Sequence, residues 1–284
     1  LISLAVFAVD NARAQTPRPS DDSFAGHHTR VSLMLSAVSA RPGDTIWAGV
    51  DMKMDAGWHT YWKNPGSAGM PTAIVWHLPD EISAGEIQWP LPEKLPPVEV
   101  TTYGYENEVM LAVPLTLPAN LPDGRIDFKA GVSWLECKQV CVPGSTTVDA
   151  ALNIGPETKA STNAPLIQSW KDKAPRSDNN LTLSAWWETA ASGDTRSLII
   201  EGRQTAGEIA PDDKIDFFPD TSDQFEVQGA TEKIPEPGGF GLRKEVKKFS
   251  GDWPKEISGV MVVEGKVQRT GFNIMVPIAD KAAN

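Results

Sequence analysis

Apolar residues recur at every second position along most of this chain. Ile126, Phe128, Ala130, Val132 and Trp134 follow this rule, as do Ile46, Ala48, Val50, Met52 and Met54, and Val31, Leu33 and Leu35. Successive side chains of an extended strand point to opposite faces, so a period of two builds one apolar face and one solvated face. A helix would scatter the same residues around its circumference. Between the runs lie RPGD, KNPGSAG, LPDG and VPGS, stretches that favour turns. No capped helical segment of comparable length interrupts them. With 23 Gly and 23 Pro among 284 residues, the expected class is all-β, built from sandwiches.

The alternation lapses over GPETKASTNAPLIQSWKDKAPRSD, which is polar and contains proline. This stretch reads as a linker with a helical turn near Leu166 to Trp170. Strand-like patterning resumes at NLTLSAWWET and continues to GVMVVEGKVQRTGFNIMVPIA. The expected division is a first β domain over 26–155, a linker over 156–169 and a second β domain over 170–284. Trp58, Trp62, Trp76, Trp89 and Trp134 are expected mostly in the first core. Trp186-Trp187 and Phe217-Phe218 place neighbouring aromatics on opposite strand faces. One of each pair should be exposed to the other domain or to a partner.

The chain opens on LISLAVFAV, followed by Ala12-Arg13-Ala14, a small-x-small pattern. The run is too short for a membrane span and reads, over residues 1–14, as the end of a secretory signal. Export to the periplasm or cell surface is expected, where disulfides persist. Formal net charge is −11, from 37 acidic and 26 basic residues, which disfavours nucleic acid as a partner. LRKEVKK is the richest basic stretch, and it is expected at a solvated strand edge.

The two cysteines, Cys137 and Cys141, lie at the end of the alternating run that reaches Trp134. Extended residues four apart are separated by about 13 Å, whereas a disulfide needs Cα atoms about 4.4–6.8 Å apart. Pairing would therefore require Lys138-Gln139-Val140 to fold back sharply, with the next strand resuming near Thr146. A loop this short gives only about 2 kcal/mol of chain-entropy stabilisation. The pair is a weak staple, which favours redox chemistry. Metal binding has less support, because His27, His28, His59 and His77 show no ligand-like spacing to the pair. A copper(I) site would draw on both thiolates and on Met52, Met54 or Met70.

GWHTYWKNPGSAGMPTAIVW, WPLPEKL, TYGYENEVML and VSWLECKQVCVPGS occur in that order. Together they resemble the N-terminal periplasmic domain of the thiol:disulfide interchange protein DsbD, above all the suppressor-of-copper-sensitivity B-type (ScsB) branch. The resemblance covers about residues 28–155. It implies an immunoglobulin-like β-sandwich, followed in that branch by a second β domain. It also implies that Cys141 forms mixed disulfides and Cys137 resolves them. Electrons would come from a membrane-embedded thiol relay, in the same or a separate chain, and pass to periplasmic thioredoxin-like proteins. The sulfurs would be the redox centre, with no cofactor and no metal. His59 and Tyr61 fall on positions that line the family's site. The family's cap loop matches VEVTTYGYE, where Thr102 replaces the covering aromatic of the better-known branch, so Tyr103 or Tyr105 is expected to take that role. The C-x3-C spacing is shorter than in that branch, so the loop geometry should differ. The alternative reading is a copper(I)-binding tolerance protein using the same cysteines. Glu136 and Glu106 receive no catalytic role, because a carboxylate beside a thiol raises its pKa.

Overall fold

The computed structural model describes residues 27–79, 81–96, 101–177, 180–204, 209–210, 212–266 and 268–280. The expected signal remnant over 1–14 lies outside the described residues. Among the described residues, no helix is long and apolar enough to cross a membrane.

The first half contains β1 (Thr29–Leu35), β2 (Ala37–Ala40), β3 (Thr45–Met54), β4 (His59–Gly66), β5 (Ala73–His77) and β6 (Ser83–Ala84). It continues with β7 (Glu93–Leu95), β8 (Thr102–Glu106), β9 (Glu108–Thr116), β10 (Gly124–Cys137), β11 (Cys141–Ile154) and β12 (Lys159–Ala160). One sheet has the order β1-β3-β9-β6, and the other β12-β2-β11-β10-β4-β8-β7, with β5 paired to β10. The period-two residues explain why the sheets face each other. Val50, Met52 and Leu111 of one sheet share a core with Trp62, Val132 and Trp134 of the other. Leu35, Ile46 and Leu115 meet Phe128 and Leu152 further along. Each such side chain contributes roughly 1.5–3 kcal/mol on burial, and alternation supplies them only to the inner faces.

The stretch expected as a linker is tied down. Its strand β12 pairs with β2, and α1 (Ala164–Lys171) packs on the outer face of β3 and β9. Ile167 is buried against Met110 and Ala112. Gly49 permits this approach, because a Cβ there would lie 2.7 Å from Met110 Sδ and 3.1 Å from Ile167 Cγ1.

The second half contains β13 (Leu181–Trp187), β14 (Thr195–Gln204), β15 (Lys214–Pro219), β16 (Phe225–Val227), β17 (Glu232–Ile234), β18 (Phe240–Lys248), β19 (Glu256–Glu264) and β20 (Arg269–Asp280). Their order is β15-β19-β20-β13-β14-β18-β16, with β17 on β18. Leu198, Ile200, Phe217, Leu242 and Met261 of these strands share a second sandwich-like core. The chain is therefore all-β, an immunoglobulin-like sandwich followed by a second sandwich-like unit.

Two expectations need correction here. LRKEVKK forms no solvated edge: β18 is flanked by β14 on one side and by β16 and β17 on the other. Alternation turns Lys244 inward with Leu242 and Val246, where its Nζ donates to Thr231 Oγ1 at 2.8 Å and to the Gly229 carbonyl at 3.1 Å. The second concerns Phe217-Phe218: neither ring is exposed, although the expected contact of one of them with the other half is present. Phe217 fills the second core, while Phe218 faces the first half, with its ring 4.6 Å from Tyr103 and 6.5 Å from Trp62. Polar contacts surround this junction. Asn64 Nδ2 donates to the Pro219 carbonyl at 2.7 Å, Lys63 pairs with Asp220 at 2.6 Å, and Lys94 pairs with Asp216.

Candidate redox site at a hairpin tip

β10 and β11 form the longest hairpin, fourteen residues on each side. Their register runs without a slip from Gly124↔Ile154 to Cys137↔Cys141. The two cysteines therefore face each other across the last rung, joined by Lys138-Gln139-Val140. Their Cα atoms are 4.1 Å apart and their sulfurs are bonded. The fold-back is tighter than expected, since β11 begins at Cys141 and not near Thr146. VPGS lies inside that strand and is no turn. Gly144 is needed there because the Trp134 indole crosses it, and a Cβ would lie 2.3 Å from Trp134 Cε2.

The two cysteines differ in access. Cys137 is 3% exposed, whereas Cys141 stands in an exposed run with Lys138, Gln139 and Val140. Cys137 is covered because β10 is paired on its other side with β4 through Cys137↔His59. That pairing sets which side chains reach the sulfurs. Directly opposed residues share a face, and so do residues two apart, so His59 and Tyr61 lie on the sulfur side. The Tyr61 hydroxyl is 2.8 Å from Cys137 Sγ and 3.5 Å from Cys141 Sγ. The His59 and Tyr61 rings meet edge to face at 5.2 Å. Burial raises the Tyr61 pKa, which keeps its hydroxyl protonated and able to donate. Burial lowers the His59 pKa, against a smaller opposing effect of Glu106, so the ring is neutral at pH 7.

Tyr103 and Tyr105 are not brought to the sulfurs. The pairs Thr60↔Tyr105 and Tyr61↔Gly104 put both tyrosines on the core face and leave Gly104 beside Tyr61. Tyr103 packs between Trp62 and Phe218, and the Tyr105 hydroxyl donates to the Pro90 carbonyl at 2.7 Å. Thr102 pairs with Gly66 and Leu95, and residues 98–100 of the expected cap loop lie outside the described residues.

Sequence reasoning missed the segment that covers Tyr61. Gly69, at φ +117°, passes so close that a Cβ would lie 2.2 Å from the Tyr61 ring. The following Met70 is 52% exposed. The only signal was the cluster of small residues in NPGSAG, which runs from the end of the strand that carries Tyr61 into the following loop.

Glu136 is fully buried and, by alternation, faces away from Cys137. Its carboxylate accepts from the His28 backbone N–H at 2.8 Å and from the Trp134 indole at 3.1 Å, so it closes the end of the sandwich. Met52 and Met54, two of the thioethers considered for copper, are core residues. Among the described residues, no three His, Cys, Asp or Glu side chains cluster in a way that could hold a metal ion.

The first sandwich presents a bonded cysteine pair at the tip of its β10–β11 hairpin, one partner sheltered and the other exposed. Residues 33–153 match the model of the family described as "Thiol:disulfide interchange protein DsbD, N-terminal". The fold of both halves is similar to that of the N-terminal periplasmic domain of ScsB from Proteus mirabilis. That match has a TM-score of 0.60 and 17% identity, over 92% of this chain and 96% of the other. The C-terminal domain of the Streptococcus agalactiae AgI/II polypeptide BspA matches over 87% of this chain and 100% of its own, at 10% identity and a TM-score of 0.18. Bovine butyrophilin matches over 86% and 99%, at 9% identity and a TM-score of 0.18. Both superpose too poorly to carry an argument. No curated protein sequence matches the chain at a significant level.

Proposed function

We propose that this protein is an exported, periplasmic thiol–disulfide exchange module that relays an electron pair through Cys137 and Cys141. Its donor is a dithiol of a membrane-embedded thiol relay, in the same chain or a separate one. Its acceptors are the disulfides of thioredoxin-like periplasmic proteins. The observation that carries the reading is the asymmetry of the pair, with Cys141 exposed and Cys137 sheltered under the Tyr61 hydroxyl.

Exchange proceeds by attack of a thiolate on a disulfide sulfur. On loading, a donor thiolate attacks the accessible Cys141 Sγ, and the Cys137–Cys141 bond breaks with Cys137 leaving as thiolate. Tyr61 donates its O–H to Cys137 Sγ and stabilises the charge that develops there. The second donor thiolate then attacks the donor sulfur of the mixed disulfide. This releases Cys141 and leaves the donor oxidised by two electrons. On delivery, the Cys141 thiolate attacks the acceptor disulfide. Cys137 then attacks Cys141 Sγ, restoring the internal disulfide and releasing the reduced acceptor. His59 lines the site as a neutral imidazole.

The test is a trap. Cys137→Ser removes the resolving thiol, so mixed disulfides through Cys141 should accumulate with a thioredoxin-like partner on non-reducing gels. Cys141→Ser should trap little, because Cys137 is covered. Equal trapping by both variants would overturn the assignment of roles.

A further inference from the structure

Four neighbouring strands place one continuous rung across the redox face. Cys141 of β11 opposes Cys137 of β10, Cys137 opposes His59 of β4, and His59 opposes Glu106 of β8. Directly opposed side chains share a face, so the two sulfurs, the imidazole and the Glu106 carboxylate line the same side of the sheet. Residues at the alternate positions agree, since Trp62, Tyr103, Tyr105 and Trp134 fill the core on the opposite side. The His59 ring also meets the ring of Tyr61, whose hydroxyl reaches the sulfurs. Opposed Cβ atoms lie about 4.5–5.5 Å apart, which brings an imidazole within reach of the Cys137 thiol.

His59 is half-buried, yet no structural bond holds its ring. Among the described residues neither nitrogen has a hydrogen-bond partner, and neither is sealed from solvent. Burial favours the neutral ring, and Glu106 opposes this in part by favouring the imidazolium. Other charges on the adjoining elements are engaged elsewhere. Lys138 Nζ donates to the Ala56 carbonyl at 3.1 Å, Lys63 pairs with Asp220, and Glu136 is held by the Trp134 indole on the core side. Glu106 stands two strand spacings from Cys137, about 10 Å, so it acts on the ring and not on the thiol. Tyr61 is kept protonated by burial and cannot accept a proton. The rung therefore supplies a base that the tyrosine does not.

We propose that His59 is the general base of the resolving step, with Glu106 as a positioning residue behind it. Once Cys141 is joined to the acceptor, the Cys137 thiol gives its proton to the imidazole as its sulfur attacks Cys141 Sγ. The Cys137–Cys141 bond forms and the bond from Cys141 to the acceptor breaks. The departing acceptor sulfur then takes the proton from the imidazolium. This role rests on the relay reading above and adds no electrons to it.

The test follows the reduced full chain after mixing with glutathione disulfide, by acid quenching and mass analysis. In wild type a mixed disulfide between Cys141 and glutathione should form and then resolve. In His59→Gln it should form at a similar rate but resolve about tenfold or more slowly at pH 7, the lower end of what a positioned base contributes. On acidification the resolving rate of His59→Gln should fall about tenfold per pH unit, as for an unassisted thiol, and that of wild type less steeply. Glu106→Gln should slow resolution severalfold and steepen the same profile, which a merely structural carboxylate would not do. Free imidazole should restore resolution in His59→Ala. Equal resolving rates in wild type and His59→Gln throughout the pH series would overturn the proposal and leave the relay reading standing. A wild-type mixed disulfide that fails to form, or forms and never resolves, would overturn the relay reading and this role with it.

Discussion

Phe218→Ala should show whether the two halves act as one body. Phe218 is 2% exposed and is wedged against Tyr103 and Trp62 of the first half. Lys94 Nζ lies 5.3 Å from its ring centroid and Arg269 Cζ 5.7 Å. Truncating a buried phenylalanine to alanine costs about 3–5 kcal/mol, and an aromatic pair adds about 0.5–1.5 kcal/mol beyond area. Some of the cavity can collapse or admit water, because a cleft lies beside Tyr103, so we expect about 4 kcal/mol. With a urea m-value of about 3 kcal/mol/M, the midpoint should fall by about 1.3 M. Intrinsic tryptophan fluorescence reports the transition in both halves, since tryptophans occur in each. The single wild-type transition should also separate into two once the wedge is gone. A midpoint shift below about 0.3 M, corresponding to about 1 kcal/mol, with one unsplit transition, would refute the view that this contact couples the halves.

Two further predictions concern single polar atoms. Tyr61→Phe keeps the ring beneath Gly69 and removes only the hydroxyl that meets Cys137 Sγ. Reduction of the disulfide by dithiothreitol should slow about tenfold, because a hydrogen bond to a developing charge contributes about 1.5–3 kcal/mol. Thermal stability should barely change, and an unaltered reduction rate would remove Tyr61 from the mechanism. Lys244 is buried, and desolvation lowers its pKa from 10.5 to about 7, against the opposing pull of Asp216. Between pH 7 and 10.5 the unfolded chain therefore binds more protons than the folded one, and stability should rise with pH across that window by up to about 1.4 kcal/mol per unit. Lys244→Met should flatten this rise in pH-dependent urea melts. A slope identical to wild type would show that the lysine stays charged on its carbonyl and hydroxyl partners.

The strands were legible wherever alternation was clean. The run from Ile126 to Trp134 forms β10, and it delivers Cys137 to a hairpin tip. The fold-back of Lys138-Gln139-Val140 follows from covalent reach once Cys137 and Cys141 are bonded. Faces that depend on register between distant strands were less legible. Tyr61, Tyr103 and Tyr105 all looked like site residues. The pairing Tyr61↔Gly104 separates them, and that register is set by how β4 and β8 meet across more than thirty intervening residues. Burial contributed by the other half was also hidden. Phe218 is apolar on a face that only the first half covers. Lys244 is charged, yet it sits inside because the carbonyls and hydroxyl that satisfy it come from β15 and the stretch between β16 and β17.

The central claim, that the Cys137–Cys141 bond is a working redox couple and no mere staple, is tested most directly by its reduction potential. The measurement is equilibration of the whole chain in thiol buffers, followed by alkylation and mass analysis of the two cysteines. A midpoint between about −120 and −270 mV, the range of catalytic pairs, is the predicted result. A midpoint below about −300 mV, where structural disulfides lie, would contradict it.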